Sequence, residues 1–182
     1  LAQKRNKQNH VTSVTKSNAQ GYGMVVWDRA FERIAERYPN ISTNSLLVDA
    51  ACMEFIRKPE QFDVVVGSNL FGDILTDIGA IITGSMGLAL SGNIDPERRF
   101  PSMFEPVHGS APDIAGKGIA NPLAAILSAG MMMRHLGEEG AEAAIEAAVL
   151  NVVGENEVLT PDLGGSSSTS GVGDAVADAL RQ

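Results

Sequence analysis

Apolar positions along the 182-residue chain switch between two periods. HVTSVT (10–15) alternates β-branched and small polar residues, which predicts a strand. MVVWDRAFERIAERY (24–38) places apolar residues at 24, 27, 31, 34, 35 and 38, one face of a helix that Pro39 ends. SLLVD (45–49) reads as a short buried strand ending in an acid, AACMEFIRK (50–58) as a helix closed before Pro59, and FDVVVGS (62–68) as a second buried strand. NLFGD then reads as a turn, and from Asp73 to Ile82 a stripe at 74, 75, 78, 81 and 82 predicts another helix. Beyond Gly84 glycine, proline and serine rise, and no amphipathic segment follows until Asn121. Asn121-Pro122 predicts a helix start, a capping side chain followed by proline at the first helical position, and Gly137 its stop. An alanine-rich helix over about 138–150, a flexible GGSSSTSG loop (164–171) and a last helix over 172–180 complete the chain. Short apolar strands mixed with helices make the class α/β, and the change of texture near Gly84 suggests a boundary between residues 1–84 and 85–182.

Composition narrows the function. The chain is 44% hydrophobic and 20% charged, ordinary for a globular protein. A net charge of −8 argues against nucleic acid as partner. The apolar runs 80–90 and 123–133 fall short of the ~20 residues that span a bilayer. Cys52 is alone and cannot form an internal disulfide, which suits a reducing compartment such as the cytoplasm, with the thiol in the core.

Chemistry concentrates at a few positions. Asp73 and Asp77 lie four apart in a segment with no lysine or arginine between Lys58 and Arg98. On a helix they point to one side and repel. Either they are a helix-terminal acid and a solvated neighbour, or they hold a hard divalent cation that prefers oxygen ligands. Asp49, at the predicted end of a strand, is a third oxygen donor, and a set without histidine or cysteine fits Mg²⁺ or Mn²⁺ and not zinc. Lys16 follows the first strand and is either a solvated charge or an acid–base group. FEPVHGSAPDIAGKGIANP (104–122) lacks the spacing of a Walker loop. It offers backbone N–H groups, His108 and the carboxylate of Asp113, which can accept both ribose hydroxyls and repels a 2′-phosphate; a plain surface loop is the other reading.

VTKSN, NLFGDILTD and HGSAPDIAGKG, in this order, resemble the metal-dependent β-decarboxylating dehydrogenases, the family of isocitrate, isopropylmalate, homoisocitrate, tartrate and D-malate dehydrogenases. The likeness runs through DLGGSSSTSGVGDAVADAL. It implies the two-domain isopropylmalate dehydrogenase-like fold, with this chain its C-terminal half: 1–84 part of the smaller, dimer-forming domain, 85–182 part of the larger, cofactor-binding one. It implies that Asp73 and Asp77 hold Mg²⁺ or Mn²⁺ with Asp49 of a second subunit, and that Lys16, also crossing the homodimer interface, transfers protons. It places Asn18 beside nicotinamide and substrate, and His108, Gly109, Ala111, Asp113, Ile114 and Asn121, with Glu105 nearby, around the adenosine of NAD. NIDPERRFPSMFEPVHGS (93–110) resembles tartrate and D-malate dehydrogenases, so the expected substrate is a small 2-hydroxy acid of that kind, with isopropylmalate the alternative. Without the remainder of the family's length the chain is expected to be inactive by itself. A non-enzymatic fragment and a nucleotide-binding module of another class are the competing readings.

Overall fold

The computed structural model describes residues 1–181 and divides into two units, Leu1–Ile82 and Thr83–Gln182.

The first unit is built on three parallel strands, β1 (His10–Thr15), β2 (Ser42–Leu47) and β3 (Val64–Val66), in the order β2-β1-β3. The register pairs His10 with Ser42 through to Thr15 with Leu47, and Val11 with Val64. As the central strand, β1 is covered on both faces: Thr12, Ser13, Val14 and Thr15 are all buried. Its alternation is therefore of small polar against β-branched residues and not of outside against inside. Ser13 is made tolerable in the core by Trp27, whose Nε1–H donates to Ser13 Oγ at 2.9 Å. His10 ties β1 to the exposed start of β2, with Nδ1 2.8 Å from Ser42 Oγ and Nε2 3.0 Å from Asn44 Oδ1.

A short helix, α1 (Ala2–Arg5), precedes the sheet, and α2 (Gly23–Ala35), α3 (Val48–Arg57) and α4 (Asn69–Ile82) alternate with its strands. Val14, Met24, Ala51, Phe71 and Leu75 form the core, with Cys52 packed against it half-buried. Three expectations shift. The strand expected over 45–49 begins at Ser42, is exposed through Ser45, and stops before Asp49, which sits in the first turn of α3. The helix expected from Asp73 begins at Asn69, because Ser68 caps it: its carbonyl accepts from Gly72 N–H at 2.7 Å and its hydroxyl from Phe71 N–H. On that helix Phe71, Leu75 and Ala80 are buried, whereas Ile74, Ile81 and Ile82 of the predicted stripe are exposed.

The second unit has an antiparallel pair, β4 (Leu90–Asn93) and β5 (Met103–Pro106), and three helices, α5 (Leu123–Leu136), α6 (Glu139–Glu155) and α7 (Thr169–Ala179). Leu123, Ala148, Val149, Val152, Val172 and Val176 form its core. α5 starts one residue later than expected, at Leu123, with Pro122 at the cap position, its carbonyl accepting from Ile126 N–H; Asn121 lies just before it, Oδ1 accepting from Leu123 N–H at 2.9 Å, and Gly137 ends the helix at φ 96°, in the left-handed region open to glycine. The hairpin was not legible in the sequence. Its nine-residue connection is ordered by Asp95, whose carboxylate accepts from the N–H groups of Glu97, Arg99 and Phe100. No helix among the described residues is long and apolar enough to cross a membrane.

Candidate functional site

Parallel strands bring their carboxyl ends to one edge of a sheet, and the first unit places its candidate residues there. Lys16 directly follows β1, Asp49 comes two residues after β2, and α4 starts three residues after β3. Lys16 Nζ donates to Asp49 Oδ1 at 2.6 Å. That hydrogen bond, aided by one from the main chain, holds the Asp49 carboxyl below the ordinary carboxylate range against slight desolvation. The Lys16 carbonyl accepts from Ala19 and Gln20 N–H, making the turn in which Asn18 lies exposed.

Asp73 and Asp77 are exposed on α4, on successive turns of one side. The start of α4 at Asn69 puts Asp73 outside the first turn, where a helix dipole favours an acid. Among the described residues neither carboxylate engages a cation or donor, whereas Asp49 is committed to Lys16. Two uncommitted carboxylates at this spacing suit a hard divalent cation by the chemistry of the donors. Within one chain the three aspartates do not gather: among the described residues no group of three or more His, Cys, Asp or Glu forms a metal-holding cluster.

The second unit holds an open cleft of about 620 Å³, in the range that takes small ligands. Of the residues expected around adenosine, His108, Gly109, Ala111, Ile114 and Asn121 line it; Asp113 and Glu105 do not, Asp113 standing exposed in the loop and Glu105 on β5 opposite Ser91. The loop closes by tight turns, Ile114 N–H to the Ala111 carbonyl and Lys117 N–H to that of Ile114. Ala111 adopts φ 41°, an uncommon conformation for a residue with a Cβ. His108 Nδ1 lies 3.1 Å from the Gly109 carbonyl, which only accepts, so Nδ1 is the donor there. Thr169, at the start of α7, anchors the far end, its N–H donating to the Gly118 carbonyl and its hydroxyl to that of Ala120.

Among the lining residues that escaped the sequence reasoning, Asp162 has the most partners. Asp162 Oδ2 accepts from Ser85 Oγ and from Asn121 Nδ2, and Oδ1 accepts from Thr160 Oγ1 at 2.6 Å. Partial burial pushes this carboxyl up, but the donors from Ser85, Thr160 and Asn121 outweigh it and hold it below the ordinary range. The available signal was Thr160-Pro161-Asp162 before two glycines, a turn sequence with an acid at its centre.

A family model described as isocitrate/isopropylmalate dehydrogenase matches residues 1–176. A probable tartrate dehydrogenase/decarboxylase of Agrobacterium vitis is 50% identical over 180 residues, 99% of this chain and 50% of that protein. A 3-isopropylmalate dehydrogenase of Corynebacterium jeikeium (strain K411) is 49% identical over 180 residues, 99% of this chain and 51% of its own. The crystal structure of isocitrate dehydrogenase from Methylococcus capsulatus superposes with a TM-score of 0.93 at 38% identity, covering all of this chain and 53% of that one. The chain thus spans about half the length of the curated relatives it matches.

Proposed function

Since this chain belongs to the isocitrate/isopropylmalate dehydrogenase family, we propose that it supplies the metal-binding, proton-transfer and adenosine-binding parts of an NAD-dependent enzyme. That enzyme oxidises a small 2-hydroxy dicarboxylic acid, with or without loss of CO₂. Tartrate or D-malate is the favoured substrate, supported by the 50% identity to a protein named as a tartrate dehydrogenase/decarboxylase; the 49% identity to an isopropylmalate dehydrogenase keeps isopropylmalate as the second candidate.

The observation that carries the reading is the division of labour among the charged side chains of the first unit. Lys16 and Asp49 are paired with each other, while Asp73 and Asp77 stand uncommitted. We assign Asp73 and Asp77 to a Mg²⁺ or Mn²⁺ ion, with Asp49 reaching it from a second copy of the chain in a homodimer. Bound there, the ion would supply Lewis acidity to the substrate's hydroxyl and carboxylate oxygens, and NAD a hydride acceptor. Lys16 holds a proton at Nζ, and Asp49 Oδ1, accepting from Nζ, fixes where the ammonium points. Asn18, in the turn that follows, orients the nicotinamide end of the cofactor. His108 Nε2, the backbone of Gly109 and Ala111, Ile114 and Asn121 receive the adenosine, with Asp113 and Glu105 at the margin.

The test is NAD reduction with Mn²⁺ by the protein carrying the full length of its relatives, on a panel of tartrate, D-malate, isopropylmalate and isocitrate. Tartrate or D-malate is expected to lead, and activity confined to isopropylmalate would replace the favoured substrate with the alternative. The 182-residue chain alone is expected to give none. Mixing inactive Lys16→Met and Asp73→Asn homodimers of the full-length protein tests the sharing. Each mixed dimer regains one site with both native residues, so activity returns; no recovery on proven subunit exchange would exclude a site shared in this way.

A further inference from the structure

Asp162 is the one charged residue among those lining the cleft, and it is not a free charge. Its two oxygens join three stretches that are far apart in sequence: Ser85 at the head of the turn Met86–Leu88, Asn121 at the head of α5, and Thr160, wholly buried, at the head of the turn Pro161–Leu163. Ser85 Oγ, buried, also accepts from Gly87 N–H at 3.0 Å, so the carboxylate acts through Ser85 on the backbone of that turn.

Asn121 is the member of the cleft most constrained by this arrangement. A carboxamide can face either way, but here both ends are decided. A carboxylate only accepts, so Nδ2 must face Asp162, at 2.9 Å; an amide N–H only donates, so Oδ1 must face Leu123, at 2.9 Å. One hydrogen on Nδ2 and one lone pair on Oδ1 are left over. A side is closed as well. A Cβ built on Gly87 would lie 2.6 Å from Asn121 Cβ and 2.8 Å from Cγ, so the turn that Ser85 heads comes against the carboxamide as closely as a glycine permits.

We propose that Asp162 is a positioning residue of this cleft: through Asn121 and Ser85 it fixes the orientation of the Asn121 carboxamide and the approach of the Met86–Leu88 turn, and so sets the wall on which the uncharged base and ribose of adenosine are received. The proposal rests on the adenosine reading of the cleft given above. The lining agrees with it in charge, for it contains no lysine or arginine to neutralise a phosphate, and His108 is its only other ionisable side chain. The low pKa of Asp162 means that the acceptor persists through the neutral range.

The experiment uses the 182-residue chain, ¹⁵N-labelled, with adenosine as probe, and the variants Asp162→Ala, Asp162→Glu and Asp162→Asn. Asparagine can turn its oxygen toward Ser85 and Asn121 and its NH₂ toward the Thr160 hydroxyl, so it preserves the geometry without the charge. Glutamate keeps the charge and loses the position. The Asn121 side-chain NH₂ is expected to be slow to exchange in the native chain and in Asp162→Asn, and fast in the other two. Adenosine affinity is expected to fall about tenfold in Asp162→Ala and Asp162→Glu, as for an orphaned donor at a binding wall, and to return in Asp162→Asn. Glutamate carries the comparison if the alanine variant does not fold. Affinity kept within about twofold in Asp162→Glu, or a slow Asn121 NH₂ there, overturns the positioning role while leaving the adenosine reading intact. A native chain with an ordered Asn121 NH₂ that does not bind adenosine overturns the adenosine reading, and this proposal with it.

Discussion

The two units differ in how completely each satisfies itself. In Leu1–Ile82 three buried polar atoms, Thr15 Oγ1, Asp28 Oδ1 and Asp63 Oδ2, have no hydrogen-bond partner among the described residues. In Thr83–Gln182 no buried side-chain polar atom among the described residues is orphaned, and the acid that lines the cleft is met by three donors. Buried polar groups are ordinarily paired. The second unit therefore carries a binding cleft finished from its own residues. The first carries an ion pair, Lys16 with Asp49, and a separate pair of exposed carboxylates, which under the proposed function join only across two copies of the chain. Adenosine binding should be a property of one unit in one chain, and metal chemistry a property of an assembly.

Leu123→Ala tests the comparison most severely. Leu123 is fully buried in the core that joins α5, α6 and α7, and its truncation should cost about 2–5 kcal/mol. Hydrogen exchange should show the amides of α5–α7 losing protection while those of β1 keep theirs; equal loss in β1 would break the distinction between the units.

Gly165→Ala comes next. Its Cβ would lie 2.0 Å from the Leu159 carbonyl oxygen, in the turn that holds Asp162, and backbone must move to admit it. Overpacking of this kind costs about 1–3 kcal/mol. Thermal unfolding should fall accordingly, with adenosine affinity falling beside it; unchanged affinity would separate that turn from the cleft.

Asp73→Asn removes one of the two bare carboxylates of the first unit. It should weaken Mn²⁺ binding to the full-length protein by about tenfold in calorimetric titration, leaving adenosine binding untouched. Unchanged Mn²⁺ affinity would remove the metal from the first unit.

The smallest effect contrasts two acids. Asp49 is held low first by the hydrogen bond from charged Lys16, Asp162 by uncharged hydroxyl and amide donors set against its desolvation. Both have folded pKa values below the ordinary 3.8, so each contributes stability that is present above that value and is lost as pH falls through the lower, folded one. Carboxyl ¹³C titration should show Asp49 moving up toward 3.8 at about 1 M salt or in Lys16→Met, and Asp162 unmoved by either. Equal response in both would erase the contrast.

How much of this was legible depended on whether a local signal met a local cause. β1 has the predicted limits, His10–Thr15, because its β-branched run is also the buried centre of the sheet. Both ends of α5 were legible to within one residue because Asn121 and Gly137 act on their own neighbours. The start of α4 was misplaced because Gly72 looked like a turn, whereas the cap comes from Ser68. α6 runs on to Glu155, beyond the expected end near 150, with Asn156 in the left-handed conformation closing it, and α7 starts at Thr169 inside what read as a flexible loop, capped by Ser168. β4 and β5 were missed because four-residue strands joined by a turn ordered by Asp95 leave no periodic trace. Among the cleft residues, His108, Gly109 and Asn121 stood in one contiguous stretch of sequence. Asp162 escaped notice, since its partners at 85 and 121 are assigned only by the packing of the second unit.

The parallel course of β1, β2 and β3 has a consequence for how such a protein can be altered. Strand interiors such as Val14 and Val65 keep the framework upright, while Lys16, Asp49 and the opening of α4 lie just past the strand ends, where a change of side chain leaves the framework alone. Upkeep and chemistry are thereby assigned to different stretches of backbone, and a new specificity could be grafted onto the tips without rebuilding the stems.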